Sequence, residues 1–212
     1  MSLPGVLERI AQAAKRAGRS PQEVRLVVVT KGHPVEEIRE KVLAYGDFPL
    51  GESRVQEALP KMEALQAEWH FIGPLQTNKA RFMPRFALVH SLDSLRLAQA
   101  LNRVGEKEGR PLRVLVEVNL GREPQKHGFL EEDLPEALAR IRDLPFLRVE
   151  GLMTVAPIAP EAVLRPLFAR LSLLADRYGL RERSMGMSDD FELAVEEGAT
   201  LVRVGRAVFA VD

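Results

Sequence analysis

The sequence contains no cysteine, and that one absence removes disulfides, thiolate catalysis and cysteine-ligated zinc together. It has no apolar run near the roughly 20 residues that a membrane-spanning helix needs, and its amino-terminal stretch is amphipathic rather than signal-peptide-like. The expectation is a cytoplasmic protein without membrane contact. An excess of charge is absent too: 30 basic residues balance 30 acidic ones, which leaves no footprint for nucleic acid or another polyanion. The four histidines, His33, His70, His90 and His127, are dispersed with no pair at metal-ligand spacing, so no metal site is expected. Lysine is scarce. Only 7 of the 30 basic residues are Lys and 23 are Arg, so a lysine at a special position is less readily explained as surface filler.

What is present is a chain of 212 residues, 46% hydrophobic and 28% charged, enough to bury a large core. Its plainest element is RLVVVTKGHP, residues 25–34. Leu26, Val27, Val28 and Val29 make an unbroken, mostly β-branched run, the mark of a parallel strand buried on both faces. Lys31 stands at its carboxyl end. Gly32 and Pro34 then end the strand, and residues 35–45 resume at helical spacing with Glu36 and Glu37 in the first turn. Ligands of α/β folds gather beyond the carboxyl ends of the strands. An amine there can form a Schiff base, which a guanidinium does not do comparably, and desolvation lowers an amine's pKa toward neutrality. The same position also lets a lysine simply extend from a rim into solvent.

The alternation continues along the chain. A helix is predicted over 3–17, and further strands over 47–51, 69–72, 86–90, 112–119, 147–153, 182–185 and 200–204. Helical spacing separates them at 54–66, 77–81, 94–108, 133–142, 161–178 and 189–197. Eight strands with short connections, and no GxGxxG after the first, predict one (β/α)8 TIM barrel spanning 1–212 as a single domain rather than an open doubly wound sheet. No helix of useful length is predicted after the eighth strand. The extra amino-terminal helix is therefore expected to cover the apolar surface left there.

Two more strand ends line up with Lys31. SMGMS, residues 184–188, closes the seventh strand ahead of Asp189 and Asp190, and Arg203-Val-Gly205 closes the eighth. Loops after strands seven and eight of such barrels commonly hold a phosphate, because glycine lets backbone amides approach the oxygens. Barrel closure makes strand eight the neighbour of strand one, so Lys31, Ser184, Arg203 and Gly205 are expected to face one mouth. Ser188, ahead of two aspartates, reads as an ordinary helix N-cap. Arg203 lies between Val202 and Val204, where an unpaired charge is expensive, so it needs a partner, either a ligand or a structural group. His70 beside Trp69 reads as a satisfied core residue. No Ser-His-Asp arrangement can be assembled from the spacing.

Taken in order, VVVTKGHP, GESRVQEALPK, WHFIGPLQTNK, HSLDS, VEVNL, GLMTV, SMGMSDDFELAVEEGATLVRVG and AVF resemble the pyridoxal phosphate homeostasis proteins, the YggS/PROSC family, over nearly the whole chain. The resemblance implies a fold type III barrel like the amino-terminal part of alanine racemase, binding pyridoxal 5'-phosphate (PLP). It implies that Lys31 carries the cofactor as an internal aldimine, that Ser184 and the backbone around Gly205 hold the phosphate, and that Arg203 contacts the pyridine nitrogen. Two positions depart from the family pattern. Ser53 stands where Asn is usual in a GEN motif, which shortens or removes a polar contact beside the cofactor. Arg206 stands where Thr or Ser usually follows the VRxG glycine, exchanging a hydroxyl at the phosphate for charge.

The family likeness further implies a monomer that holds PLP or delivers it to recipient apo-enzymes, keeps free aldehyde low, and acts on amino-acid and keto-acid metabolism only indirectly. A protonated guanidinium cannot accept a proton from the ring nitrogen, which leaves a poorer electron sink and argues against robust turnover. Racemases of this fold add a β-rich domain with a tyrosine acid/base. No such domain is expected here, and Tyr45 and Tyr178 fall on predicted helices. Two alternatives stay open: a PLP-dependent amino-acid racemase or lyase of narrow specificity, and a barrel that uses Lys31 as an aldolase-type Schiff base on a sugar phosphate. Lys126, in the polar loop after the fifth strand, reads either as a second amine for transfer or as a solvated loop lysine.

Overall fold

A computed structural model describes residues 1–210, so the last two positions of the expected domain, Val211 and Asp212, lie outside the described residues. Eight parallel strands close into a barrel in sequence order. They are β1 (Arg25–Val29), β2 (Leu50–Glu52), β3 (Trp69–Phe71), β4 (Leu88–Leu92), β5 (Leu112–Glu117), β6 (Leu147–Met153), β7 (Glu182–Ser184) and β8 (Leu201–Val204). The helices are α1 (Leu3–Arg16), α2 (Val35–Lys41), α3 (Val55–Ala64), α4 (Leu95–Glu108), α5 (Leu134–Arg142), α6 (Glu161–Arg177), α7 (Phe191–Glu196) and α8 (Arg206–Phe209). The expected (β/α)8 barrel is the observed one. Its seam is the β1–β8 pair, with Leu26 opposite Val202 and Val28 opposite Val204.

Strand alternation divides the apolar residues into two cores. Val27, Leu88, Leu115, Met153 and Leu201 meet inside the barrel as a cluster of their own. Their chain neighbours Leu26, Val28, Val89, Val114, Val116, Leu152 and Val202 belong to the larger core shared with the helices. Both faces are therefore buried, which is why these strands read as continuous apolar runs. α1 packs against α7 and α8 and buries Leu3, Val6, Ile10, Ala13 and Ala14, so the amino-terminal helix does cover the barrel beside its last strand.

The differences from expectation are local. Thr77–Arg85 forms 3-10 turns rather than a short α-helix over 77–81, with Pro84, which has no N–H to donate, inside the run. β2 starts at Leu50 rather than 47, since Pro49 joins the ladder only through its carbonyl, which accepts from Val28 N at 2.9 Å. α7 starts at Phe191 with Asp190 as its N-cap residue, so Ser188 is not the cap. The one-turn helix α8 was not expected; buried Val208 and Phe209 hold it to the core.

β6 and β7 come unusually close where Gly151 pairs with Glu182. A Cβ on Gly151 would stand 2.0 Å from the Glu182 carbonyl oxygen. Gly151→Ala is expected to lower the unfolding free energy by about 3 kcal/mol in urea denaturation; a loss of less than about 1 kcal/mol would mean that the two strands separate without penalty.

Candidate functional site

The register of β1 and β8 builds the rim. Gly205 lies level with Val29, and a Cβ on it would come 2.8 Å from the Val29 carbonyl oxygen, so the β8–α8 turn abuts the strand end that carries Lys31. Lys31 is exposed, and its ammonium has no hydrogen bond or ion pair among the described residues. His33, two residues on, stacks on Phe209 of α8 with ring centroids 3.7 Å apart and bonds Glu37 at 3.1 Å. These contacts tie the two turns together.

Both neighbours of Lys31 are clamped by a second lysine. Lys61 of α3 donates to the Thr30 carbonyl at 2.8 Å, to Glu52 Oε2 at 3.0 Å and to Glu57 Oε2 at 2.7 Å. Glu57 in turn accepts the Gly32 N–H at 2.6 Å, and Glu52 accepts from the Thr30 hydroxyl. Gly32 adopts φ +80°, the left-handed conformation that the turn requires. Glu52 is wholly buried and Lys61 nearly so; burial pushes the Glu52 carboxyl up, while the Thr30 and Lys61 bonds oppose it. The expectations from sequence missed this cluster, although one signal points to it: Glu57 and Lys61 stand at i,i+4 in a lysine-poor chain. Removing the cation leaves two carboxylates facing each other, so Lys61→Met is expected to cost about 3 kcal/mol in urea denaturation at neutral pH. Unchanged stability would show the clamp to be dispensable.

Inside the barrel lies a different arrangement from the one expected. Ser184 is fully buried and Arg203 is 3% exposed. Arg203 donates to Ser184 Oγ at 2.5 Å and to the Thr154 carbonyl at 3.0 Å. Ser184 Oγ is 2.8 Å from His90 Nδ1, His90 Nε2 is 2.9 Å from His70 Nδ1, and His70 Nε2 is 2.7 Å from Glu68. Ser184, the last residue of β7, is thus buried with its hydroxyl engaged by Arg203 and His90. Ser188 takes the place expected of it: its hydroxyl accepts from Ala207 N at 3.2 Å, next to Gly205. Spacing could not show this, since the contact joins the loops after β7 and β8. Arg206, also in that turn, is exposed and paired with Asp189. Ser53, half-buried past the end of β2, makes no side-chain hydrogen bond among the described residues. Its carbonyl lies so near Gly73 that a Cβ there would be 2.4 Å away.

Burial lowers the Arg203 guanidinium to about 10, against the pull of Glu117 and Asp190, so it stays charged at neutral pH. Burial also holds His90 well below the usual imidazole range. Glu117, at the end of β5, is pushed up to about 7, first by burial and then by Asp93. It lines a cavity of about 120 Å³ with Asn119, Lys126, His127 and Met153, and His127 bonds Asp93 at 3.1 Å. Among the described residues no cluster of histidines and carboxylates suits a metal ion, and no helix is long and apolar enough to cross a membrane.

Glu117 binds its proton more tightly folded, at about 7, than at the ordinary 4.5. Stability that is present below the ordinary value is thus lost as pH rises through about 7. Glu117→Gln is expected to be more stable than the parent above that pH, by about 3 kcal/mol, and no different in acid. Parallel denaturation curves at the two extremes check it; a constant difference at every pH would contradict the shift.

A closed barrel with a lysine beyond β1 that is unpaired among the described residues, and a buried arginine on β8, defines a class, and the family profile described as alanine racemase, N-terminal domain matches residues 2–212. The chain is 50% identical over 211 residues to the pyridoxal phosphate homeostasis protein of Deinococcus radiodurans, covering 99% of this chain and 100% of that one. It is 40% identical over 223 residues to that of Escherichia coli K12, covering 98% and 94%. The chain belongs to the pyridoxal phosphate homeostasis protein family. Among solved structures, PipY of Synechococcus elongatus with PLP bound superposes with a TM-score of 0.80 at 37% identity, over 95% of this chain and 100% of that one. The alanine racemase of Corynebacterium glutamicum shares the fold alone, at a TM-score of 0.72 and 20% identity over 100% of this chain and 62% of the enzyme.

Proposed function

We propose that this protein is a cytoplasmic, monomeric, one-domain PLP carrier that binds the cofactor through Lys31 and releases it to recipient apo-enzymes without robust turnover. The observation that carries the reading is Lys31 itself, an exposed amine without a partner among the described residues, whose flanking residues Thr30 and Gly32 are both held by the Lys61 cluster. Relatives named for pyridoxal phosphate homeostasis and the PLP-bound PipY structure support it. Bound PLP supplies an electrophilic aldehyde and an electron-withdrawing ring. Lys31 offers the amine for that aldehyde. The Ser188 hydroxyl and the backbone of the Gly205 turn offer donors for the phosphate, with Arg206 adding charge in competition with Asp189. Arg203, buried on β8, would be the partner for the ring nitrogen, and Ser53 would contribute at most a short polar contact at the rim.

A guanidinium that stays charged holds its own proton and takes none from the ring, which favours binding and release over carbanion chemistry. One observation favours an enzyme instead: Glu117, in the cavity, has a carboxyl that titrates at about 7, suited to moving a proton.

Reduction of the PLP-treated protein with borohydride, followed by peptide mapping, tests the reading. The expected outcome is a pyridoxyl group on Lys31, with the visible band lost in Lys31→Ala while weak, phosphate-dependent binding persists. Absence of an adduct, or label on another lysine, would overturn the assignment. Steady product release from amino acids, abolished by Lys31→Ala and by Glu117→Gln, would replace the carrier with an enzyme.

A further inference from the structure

Beneath Arg203, Ser184, His90, His70 and Glu68 form one string of hydrogen bonds, with links of 2.5, 2.8, 2.9 and 2.7 Å. Ser184 and His90 are fully buried and His70 is 1% exposed. Glu68 immediately precedes β3, is 40% exposed, and pairs at 3.0 Å with Arg25, the first residue of β1. Strand starts in a parallel barrel share one rim, so the string crosses the interior from the floor to the guanidinium. None of the cofactor contacts proposed above needs two histidines and a carboxylate on the far side.

Counting donors fixes the direction of every link. Arg203 can only donate, so Ser184 Oγ accepts from it, and His90 Nδ1 is the acceptor within reach of the Ser184 proton. His90 then carries its proton on Nε2 and donates to His70 Nδ1; His70 carries its own on Nε2 and donates to Glu68. Both rings are neutral, and full charge stands only at the two ends. The opposite polarity would leave the Ser184 proton without an acceptor and require an imidazolium at His70. Burial keeps His90 neutral, and the His70 bond, ahead of the one from Arg25, holds Glu68 down at about 2.

We propose that this string is a positioning device, in which His90 and His70 act through Ser184 to hold the Arg203 guanidinium in the orientation it presents to the cofactor's ring nitrogen. Among the described residues Arg203 has one other direct side-chain hydrogen bond, to the Thr154 carbonyl, so loss of the Ser184 link frees the group to turn. The proposal rests on the PLP reading, and its test separates the two.

Heteronuclear NMR of the imidazole nitrogens in the unloaded protein reads the polarity without any cofactor. Both rings are expected as Nε2–H tautomers, with His90 held neutral by its burial; an Nδ1–H tautomer at either position would overturn the proposal even if PLP binds. In the PLP-loaded protein, His90→Phe is expected to keep the Lys31 adduct, shift the visible absorption band and weaken PLP binding about 5-fold. His70→Phe, one link further off, should shift the band in the same direction. Leu88→Ala, an inward-facing neighbour on β4, serves as the control for mere destabilisation and should lower stability without moving the band. An unmoved band in His90→Phe, or the same shift in Leu88→Ala, would sink the positioning role. If the parent protein takes up no PLP at all, the carrier reading fails and the positioning role falls with it, whereas PLP uptake with the wrong tautomers overturns the positioning role alone.

Discussion

A charged guanidinium in a barrel core is the constraint from which the interior is arranged. Arg203 sits between Val202 and Val204 on β8 and is almost wholly buried, where a charge without hydrogen-bond partners would be prohibitive. The adjacent strand answers with Ser184, β6 with the carbonyl of Thr154 just past its end, β4 with His90 bonded to the serine, and β3 with His70 bonded to His90. Around the string pack the inward apolar residues Val27, Leu88, Leu115, Met153 and Leu201, with Glu117 at the end of β5 the buried carboxyl that acts on the guanidinium. The barrel is therefore a hydrophobic plug threaded by one polar string, and the string opens under the rim where the candidate ligand groups stand.

The rim has its own support. Lys31 stands between two residues that are held in place: Lys61, Glu52 and Glu57 fix Thr30 and Gly32 on either side of it. Two lysines close in space thus have opposite roles. One is buried and saturated with hydrogen bonds, which makes it structural; the other is exposed and unpartnered among the described residues, which leaves its amine available. On the neighbouring strand, Gly205 is required by its approach to Val29, and the same approach brings the β8–α8 turn against the lysine turn. Packing between β1 and β8 and the geometry of the candidate site are one requirement.

Much of this architecture is legible in the order of residues. The unbroken valine run of β1, the eight alternations and the amino-terminal helix follow from period and composition, and these features persist in the fold with small shifts at their ends. The strand-end positions of Lys31, Arg203 and Gly205 are legible too, because strand order fixes which ends share a rim. What escapes the sequence depends on direction and on partners. Ser184 and Ser188 lie only four residues apart, yet one points into the barrel and the other meets the β8–α8 turn; the pleat and the loop conformation decide that, and no local pattern encodes it. His70 and His90 look dispersed because they lie on different strands, and they meet only when β3 pairs with β4.

The sequence by itself determined the barrel, its order of elements and the scarcity of amines that makes Lys31 conspicuous, since periodicity and composition are local properties of the chain. Tertiary structure alone decided which hydroxyl meets the β8–α8 turn, which lysine is saturated and which has no partner among the described residues, and how Arg203 is held. Each of those depends on hydrogen bonds between residues far apart in the chain, and a hydrogen bond exists only when the fold has brought donor and acceptor to within about 3 Å in the right direction.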